Sequence, residues 1–536
     1  MVQHLCLAKV IAARYTRYPP LPRPTHTPKP RMQPHASSQS DRWIAFHWSP
    51  ALMVAVFAGL FSYNGNPVAT VAGEDAIVLD RSAANERRVG EDWPMFLGLQ
   101  QTGVSGETGI SRKWPKDGPP IIWEKTVGTG YSAPSILGDH LVLHHRAGRQ
   151  EIVECLRADN GRHLWEFKYE SNFRDPYGYN NGPRCSPLLA GDRCYTFGAE
   201  GTLLCVDLRT GKQLWMRDTM QDFNVPQAFF GVGCTPILEA GQLIVLVGGQ
   251  PNSGVVAFDP ETGNTLWEAV GKETWDGIET GENEDRYHWT GEEMVVSYAS
   301  PLAVTIHGKR HLLCLTRQGL VSLDPADGST RFRYWFKSTA YESVNAACPV
   351  VVDDKVFISA AYRAGSALLQ VAPDGHSFTE VWRDRRNLLT HWSTPIHVEG
   401  SVYGFSGRHE QEGELRCLDL KTGRVTWKTQ GFEGDLSQLA QDRSGRIVNR
   451  KTGEPVPFPF YGRGSKIKVE DRFIVLGERG TLALVDVDPK GWREISRTSY
   501  DKIGYPAWTA PVLSRKRLYL RDEDSLICLD LAPSKP

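Results

Sequence analysis

One motif recurs along this chain and constrains its fold more than any other feature. Its strongest copies read CLRADNGRHLW, CVDLRTGKQLW, AFDPETGNTLW and CLDLKTGRVTW, at residues 155–165, 205–215, 257–267 and 417–427. Weaker copies occupy residues 322–332, 370–382 and 484–492. The turn glycines of successive copies lie 47 to 68 residues apart. Internal periods of this length are typical of repeat architectures, in which each repeat is one supersecondary unit.

The segments between the copies have the pattern of β-strands. Short apolar stretches alternate with Gly/Asp turns, as in PLLAGDRCYTFGAEGTLLCVDL from Pro187, and no long helical period occurs. Each unit is therefore predicted to contain four short antiparallel strands, which we call A to D. Seven full units begin near Ala133, Ser186, Thr235, Ser300, Cys348, Thr394 and Lys466.

The two ends of the repeat region supply an eighth unit. Three strands fit between Ala510 and Leu531, and the missing D strand fits the sequence IIWEK around Trp123. A ring of such units buries the faces that one unit alone leaves exposed, and closure removes unpaired sheet edges. We therefore predict an all-β fold: one eight-bladed β-propeller of four-stranded antiparallel blades. The N-terminal strand is predicted to close the ring by pairing with the C-terminal strands.

The first 90 residues are predicted to lie outside the propeller, which spans residues 91–536. Residues 1–48 form a basic, proline-rich tail that we expect to be disordered. Residues 49–72 combine a short apolar run with the small residues Thr70 and Ala72, as a signal peptide does. Residues 73–90 are predicted to be a linker.

Two alternatives stay open for this N-terminal region. The apolar run is either cleaved as a signal or retained as a membrane anchor formed by residues 43–62. Translation starts at either Met1 or Met32. The cysteine near the run, Cys6, lies upstream of it, so a lipid-attachment site is not expected. We expect an exported protein of the periplasm or cell envelope, or alternatively a membrane-anchored one.

Charge and cysteine spacing exclude several classes of protein. The chain has 61 Lys and Arg residues against 62 Asp and Glu residues, a net charge of -1, whereas nucleic-acid-binding proteins need a cationic surplus. The 10 cysteines contain neither a CxxC pair nor a CxxCH motif, which argues against a zinc cluster and a c-type haem. We expect a monomer without a metal site or a nucleic-acid partner.

The D-x-x-T-G-x-x-x-W pattern of the strong copies resembles the pyrroloquinoline quinone (PQQ) repeat. This repeat is shared by quinoprotein alcohol dehydrogenases and the outer-membrane-assembly propeller lipoprotein. The lead-in WPMFLG from Trp93 is similar to the opening of exported bacterial PQQ-like propellers, and the resemblance extends to Leu531. It implies that the motif tryptophans pack between neighbouring blades: Trp123, Trp165, Trp215, Trp267, Trp382 and Trp427. Because these residues are structural, the repeat alone does not indicate that a quinone binds.

Loop lengths indicate which face of the propeller binds. The A–B and C–D turns are short, whereas the long insertions fall in the D–A connections. D–A and B–C loops emerge on the same face, called the looped face here, and insertions concentrated on one face mark it as the binding face.

Arginines on this face form the first group of candidate ligand-binding residues. They lie near the exit of strand B in six blades: Arg146, Arg317, Arg363, Arg408, Arg479 and Arg521. A ring of guanidinium groups suits a multiply anionic ligand. The alternative is that these arginines pair with the acidic loop Glu273–Arg286.

The ends of the D–A loops supply the second group, predicted to line the mouth of the central channel. Its members are Arg184, Asn345, His391, Trp392 and Trp508. A tryptophan here either forms a flat stacking floor for a planar quinone or sugar ring, or plugs the channel. His391 is the candidate general base, and the catalytic residues are otherwise unassigned.

Two functions from different classes follow. The first is a binding or scaffold propeller for an anionic small molecule, a polysaccharide or a protein. The second is a PQQ-dependent dehydrogenase that oxidises an alcohol or polyol, as in the polyvinyl-alcohol and methanol dehydrogenases. The resemblance implies PQQ with Ca²⁺ as the cofactors of this enzyme. The vicinal disulfide, haem domain and calcium-binding residues of such enzymes have no match here, so the binding function is preferred.

Overall fold

The chain folds as the predicted eight-bladed β-propeller. The computed structural model describes residues 75–226, 229–275, 279–280, 287–288, 297–338, 340 and 343–533. These residues contain eight sheets with a common core of four antiparallel strands. Each pair of neighbouring blades shares a buried apolar cluster, including the pair formed by the last blade and the first, so the ring is closed.

The strands of each blade run from A at the central channel to D at the periphery. Blades 1 to 4 comprise Ser135–Leu137, His140–Ala147, Gln150–Arg157 and His163–Glu170; Leu188–Ala190, Arg193–Phe197, Thr202–Asp207 and Gln213–Asp218; Ile237–Glu239, Gln242–Val245, Val255–Phe258 and Thr265–Ala269; and Leu302–Ile306, Lys309–Leu315, Gly319–Leu323 and Thr330–Trp335.

Blades 5 to 8 repeat this order. They comprise Val350–Val352, Lys355–Ala360, Gly365–Val371 and Phe378–Asp384; Ile396–Val398, Ser401–Ser406, Glu414–Asp419 and Val425–Thr429; Ser465–Val469, Arg472–Leu476, Thr481–Asp486 and Glu494–Ser499; and Val512–Ser514, Arg517–Arg521, Ser525–Asp530 and, as strand D, Ile121–Thr126.

Short strands and helices lie outside the four-stranded cores of the blades. The remaining strands are Ile77–Val78, Val104–Ser105, and the pairs Glu279–Thr280 with Tyr287–His288 and Leu439–Gln441 with Ile447–Asn449. The α-helices are Arg81–Asn85, Thr219–Asp222 and Lys272–Trp275, and the 3-10 helices are Glu410–Glu412 and Leu436–Gln438. No helix in the described ranges is long and apolar enough to cross a membrane.

Ring closure follows the predicted pairing. Strand Ile121–Thr126 lies antiparallel to Ser525–Asp530, with Trp123 opposite Cys528. The same register places Trp165 opposite Cys155 and Trp215 opposite Cys205 in blades 1 and 2. The closing blade therefore has the geometry of a blade made from one continuous segment.

Five of the six motif tryptophans pack on the turn glycine of the next blade. A Cβ atom at Gly211 would lie 2.5 Å from the Trp165 ring, and one at Gly263 would lie 2.8 Å from the Trp215 ring. Trp165 Nε1 donates to the carbonyl oxygen of Leu208 at 2.8 Å. The same ring-on-glycine contact occurs for Trp123, Trp267 and Trp382, on Gly161, Gly328 and Gly423. The sixth, Trp427, makes no such contact with Gly491 and donates instead to the carbonyl oxygen of Asp488 at 2.8 Å.

Blade 7 departs from the repeat. The motif predicts Trp492 as its D-strand tryptophan, but strand D begins at Glu494 and the equivalent position, opposite Leu484, is Ser496. Ser496 Oγ accepts a hydrogen bond from the backbone nitrogen of Trp114 at 3.0 Å, and Trp114 is buried. A tryptophan from the N-terminal lead-in thus packs where blade 7 lacks one of its own.

The N-terminal lead-in closes the channel on the face of the A–B turns. Trp93 bridges to Ile136 of blade 1, and the carbonyl of Pro94 accepts from Leu189 of blade 2. Val104–Ser105 pairs in parallel with the inner edge of blade 7. Beside blade 7, the Glu107 carboxylate accepts a hydrogen bond from the backbone nitrogen of Arg515 in blade 8.

Part of the segment predicted as a linker belongs to the propeller. Ile77–Val78 adds a fifth strand to blade 8, next to Ile121–Thr126. Arg88 then forms two hydrogen bonds of 2.8 Å with Asp530, which fixes the segment to the last strand. The ion pair of Arg88 with Asp530 and the otherwise unpaired edge of strand Ile121–Thr126 explain why this segment attaches to blade 8. The predicted tail, signal peptide or anchor, and residues 73–74 of the linker lie outside the described residues.

A buried charge cluster joins blades 8 and 1. Lys125 Nζ lies 3.4 Å from Glu154 Oε1, and His163 Nδ1 lies 3.1 Å from the same oxygen. His145 Nε2 lies 3.4 Å from Glu154 Oε2. Burial alone would raise the pKa of Glu154, but His145, His163 and Lys125 outweigh it and lower the pKa to about 2. Glu154 therefore stays ionised within the ring closure.

We expect Trp215→Ala to lower the unfolding free energy by about 3–5 kcal/mol, because it empties a large buried aromatic site. The neighbouring Leu214 is 42% exposed, so Leu214→Ala is a matched control that should change stability by about 0.5 kcal/mol or less. Urea denaturation of both variants measures the difference. Equal effects of the two substitutions would contradict the structural role of the indole.

We expect acidic pH to destabilise the closure of the ring between blades 8 and 1. Glu154 has a folded pKa of about 2 against an ordinary 4.5, so its contribution to stability is complete above the ordinary pKa and is lost as the pH falls toward 2. Burial lowers the pKa of His145, outweighing its contact with Glu154, so protonation of His145 also favours the unfolded chain.

We expect the unfolding free energy, measured by urea denaturation, to fall between about pH 6 and about pH 3. Glu154→Gln should be less stable at neutral pH, because it leaves buried Lys125 without its carboxylate, and should lose less stability over the same interval. Parallel pH profiles for the wild type and the variant would show that Glu154 does not couple closure to pH.

Candidate functional site

The mouth of the central channel on the looped face is filled by aromatic rings around one ion pair. Arg463 forms a 2.8 Å ion pair with Glu478, whose side chain is 1% exposed. The Arg463 guanidinium also lies over the rings of Trp392 and Trp508, at 5.0 and 4.9 Å from their centroids. Trp508 Nε1 donates to the same carboxylate oxygen that Arg463 Nη2 contacts, at 2.9 Å from Glu478 Oε2. One arginine and one carboxylate thus fix both tryptophans.

Further rings extend this cluster into a continuous row across the mouth. Tyr179 lies 5.6 Å from Trp508, and Trp508 lies 5.1 Å from Trp392, measured between ring centroids. Trp392 is followed by His391 at 4.6 Å, and His391 by Tyr362 at 5.4 Å. We call these five side chains the ring row. It runs from the loop after blade 1 to the B–C turn of blade 5.

His391, the predicted general base, is a neutral member of this row. Burial lowers its pKa well below the ordinary value, and the charges of Arg463 and Arg408 lower it further. Its Nε2 atom lies 3.3 Å from the hydroxyl of Tyr362. Its Nδ1 atom is buried without a hydrogen-bond partner in the described part of the chain. These contacts give His391 no carboxylate to orient it as a base.

Three arginines of the predicted ring are buried and bind backbone carbonyls. Arg146 donates to Phe173 and Asn181 at 2.9 Å and to Ser171 at 2.8 Å. Arg521 donates to Ser132 at 2.6 Å and to Gly128 at 2.9 Å.

The third buried member, Arg317, donates to the carbonyl oxygen of Ser343 at 3.1 Å. It also lies over the ring of Phe229, at 4.9 Å from the centroid. All three guanidinium groups therefore hold loops of the looped face in place.

Two further predicted residues pair with carboxylates. Arg184 contacts Asp175 at 2.7 Å, and Arg479 contacts Glu410, with Nη2 to Oε2 at 2.8 Å. Neither carboxylate belongs to the acidic loop Glu273–Arg286, most of which lies outside the described residues. Asn345 is likewise structural, since its Nδ2 atom donates to the carbonyl of Thr316 at 2.8 Å.

Arg363 and Arg408 differ from the other arginines of the ring because both are exposed. Among the described residues neither guanidinium group has a carboxylate partner, although the backbone nitrogen of Arg408 donates to Glu412 Oε2 at 3.1 Å. Arg408 lies over the ring of Tyr362, at 4.4 Å from the centroid, which brings the B–C loops of blades 5 and 6 together. Arg408 therefore lies over the residue that precedes Arg363 in the chain, at one end of the ring row.

The backbone presents Arg363 at a conformational cost. Tyr362 and Arg363 both have positive φ angles, 58° and 65°, in a turn closed by a hydrogen bond from Ala364 to Ala361. Turns of this type favour Asn and Gly, and a bulky residue in the left-handed region is strained. Such strain in an exposed turn marks a candidate functional position.

Two more exposed arginines adjoin this turn. A Cβ atom at Gly365 would lie 2.5 Å from the Cα atom of Arg385, and Arg386 follows in the chain. Neither side chain forms an ion pair with a described residue. We call the group Arg363, Arg385, Arg386 and Arg408 the arginine patch.

Sequence reasoning missed Arg463, Glu478, Tyr179 and the pair Arg385–Arg386. Arg463 ends the long insertion before blade 7, and Glu478 directly precedes the predicted Arg479. The length of the insertion was a signal, but nothing in its composition distinguishes Arg463 from the four other arginines and lysines between residues 430 and 465.

Comparison with known proteins agrees with this architecture. The family profile described as "Outer membrane protein assembly factor BamB" matches residues 122–429, more than half of the chain. The chain belongs to this family. A BamB of Yersinia pestis is 21% identical over 381 residues, which is 67% of this chain and 86% of the relative.

Solved structures extend the likeness of this BamB-family propeller to quinone enzymes at the level of the fold. The quinohemoprotein alcohol dehydrogenase of Comamonas testosteroni has a TM-score of 0.54 at 12% identity, covering 83% of this chain and 81% of its own. A europium-containing methanol dehydrogenase has a TM-score of 0.52 at 12% identity, covering 82% and 90%.

The described residues at the mouth do not fit PQQ with Ca²⁺. A planar quinone stacked on Trp508 would compete with Arg463, and with Trp392 and Tyr131, whose centroids both lie 5.1 Å from the Trp508 ring. The Glu478 carboxylate is already bound by Arg463 and Trp508. Within the described ranges, no group of three or more His, Cys, Asp and Glu side chains could hold a metal ion.

Proposed function

We propose that this BamB-family propeller is an exported binding or scaffold module that holds an anionic partner on its looped face. The observation that carries the proposal is the arginine patch, in which four exposed arginines lie on adjoining loops and their guanidinium groups form no ion pair with a described residue. Because the whole chain has a net charge of -1, the positive potential here is local and directs an anionic surface to this rim.

The relatives support the class of function. The family and the Yersinia pestis relative are both described as an outer membrane protein assembly factor. A role in assembly requires a partner, and a protein with an acidic surface fits the arginine patch. An exported location, in the periplasm or at the cell envelope, fits the same relatives.

The dehydrogenase alternative gains no support from the described contacts. Its cofactor would need the space and the carboxylate that Arg463 occupies beside Trp508 and Glu478. The binding module needs only the rim of the mouth, where Arg363 and Arg408 are exposed.

The proposal is tested by replacing Arg363 and Arg408 together with Gln. We expect the double variant to bind a carboxylate-bearing polymer, poly-L-glutamate, about tenfold more weakly than the wild type at low salt, with the difference shrinking as salt screens the charges. Fluorescence anisotropy with labelled polymer measures the affinity.

A matched control removes the same charge from the opposite face. Arg209 and Arg424 are exposed residues of C–D turns, so Arg209→Gln with Arg424→Gln should leave the affinity within about twofold of the wild type. If both double variants lose affinity equally, net charge and not the arginine patch determines binding, and the proposal fails.

A further inference from the structure

The exposed aromatic surface of the described chain is concentrated beside the channel mouth. Several large apolar residues are exposed in the described ranges. Those with an aromatic ring are Tyr179, 37% exposed, and Tyr505, 38% exposed. Both pack against Trp508, with ring centroids 5.6 and 6.0 Å away and nearly edge-on. Arg479 lies over the Tyr505 ring, 4.8 Å from its centroid, so a ligand can contact only the part of that ring that Arg479 leaves exposed. A tyrosine held edge-on to a neighbour keeps ring surface available to a ligand.

Tyr179 forms one end of the ring row, and Tyr505 lies beside that end against Trp508. The other end of the row lies at the arginine patch. From Trp508 the rings pass through Trp392 and His391 to Tyr362, over which Arg408 lies at 4.4 Å. A ligand lying along this row meets aromatic side chains at one end and unpaired guanidinium groups at the other.

The aromatic end also carries acidic side chains. Glu523 Oε1 accepts hydrogen bonds from the Tyr131 hydroxyl at 3.1 Å and from Asn180 at 2.9 Å. Asp522 and Asp524 belong to the same B–C turn. Carboxylates accept hydrogen bonds from hydroxyl groups, so this end of the row offers acceptors to a hydroxyl-bearing ligand.

We propose that the ligand of this face is an acidic polysaccharide of the uronate type, bound along the ring row. Sugar rings present flat C–H faces to tyrosine, their hydroxyl groups donate to Glu523, and their carboxylates pair with Arg363 and Arg408. Neither an acidic polypeptide nor a single-stranded nucleic acid combines flat rings, hydroxyl donors and carboxylates in this way. This inference rests on the proposed function, since it names the anion that the arginine patch holds.

The experiment compares polymers of matched charge on the full chain. Isothermal titration calorimetry is run with an oligogalacturonate of six residues, a hexamer of glutamate and an oligothymidylate of equal charge. We expect the oligogalacturonate to bind about tenfold more tightly than the glutamate hexamer, because stacking adds to the shared charge contacts.

Variants of the two exposed tyrosines test whether their rings cause the preference for oligogalacturonate. Tyr179→Ala with Tyr505→Ala should abolish the tenfold preference while leaving the affinity for the glutamate hexamer unchanged. Tyr179→Phe with Tyr505→Phe keeps both rings and should retain the preference within about twofold. Quenching or a spectral shift of tryptophan emission by oligogalacturonate, absent with glutamate, is a second readout that needs no variant.

The outcomes separate the two proposals. Equal affinity of the wild type for oligogalacturonate and glutamate, or a preference that survives both alanine substitutions, overturns the polysaccharide ligand and leaves the anionic binding module intact. Tighter binding of oligothymidylate overturns it in favour of a nucleic acid. Binding of none of the three polymers overturns the proposed function itself.

Discussion

The contact between a motif indole and the turn glycine of the next blade, which five of the six motif tryptophans make, is the interaction on which this structure depends. A Cβ atom at Gly211 or Gly328 would lie 2.5 Å from the facing tryptophan ring, so only glycine lets the ring approach this closely. The same glycines have positive φ angles of 71° and 75°, which glycine adopts without strain. Because ring and turn lie in different blades, the contact fixes the distance and the angle between blades.

This constraint divides the propeller into two faces with different freedom. The C–D turns must present their glycines to the indoles, and the A–B turns meet the N-terminal lead-in through contacts such as Glu107 with Arg515. The loops of the looped face take part in neither of these contacts. Its D–A insertions vary in length, and it is there that aromatic rings and arginines accumulate around Arg463 and Glu478.

The repeat period predicted the eight blades and the closing strand because both depend on spacing, which the sequence displays directly. The roles of the arginines did not follow, because a guanidinium group binds a backbone carbonyl or a carboxylate equally well. Arg146 and Arg521 donate to carbonyls of loops whose paths carry no sequence signal. The N-terminal attachment at Ile77–Val78 was missed because two residues are too short for a strand pattern.

Hydrogen–deuterium exchange of the full chain, with and without saturating oligogalacturonate, tests most directly whether the looped face is the binding face. We expect slower exchange in residues 361–364 and 407–413, the B–C loops that carry Arg363 and Arg408, and in residues 505–509 beside Trp508. Exchange in the C–D turns, including residues 209–212 and 422–425, should stay unchanged. Protection confined to the C–D or A–B turns would place the ligand on the opposite face and contradict the account.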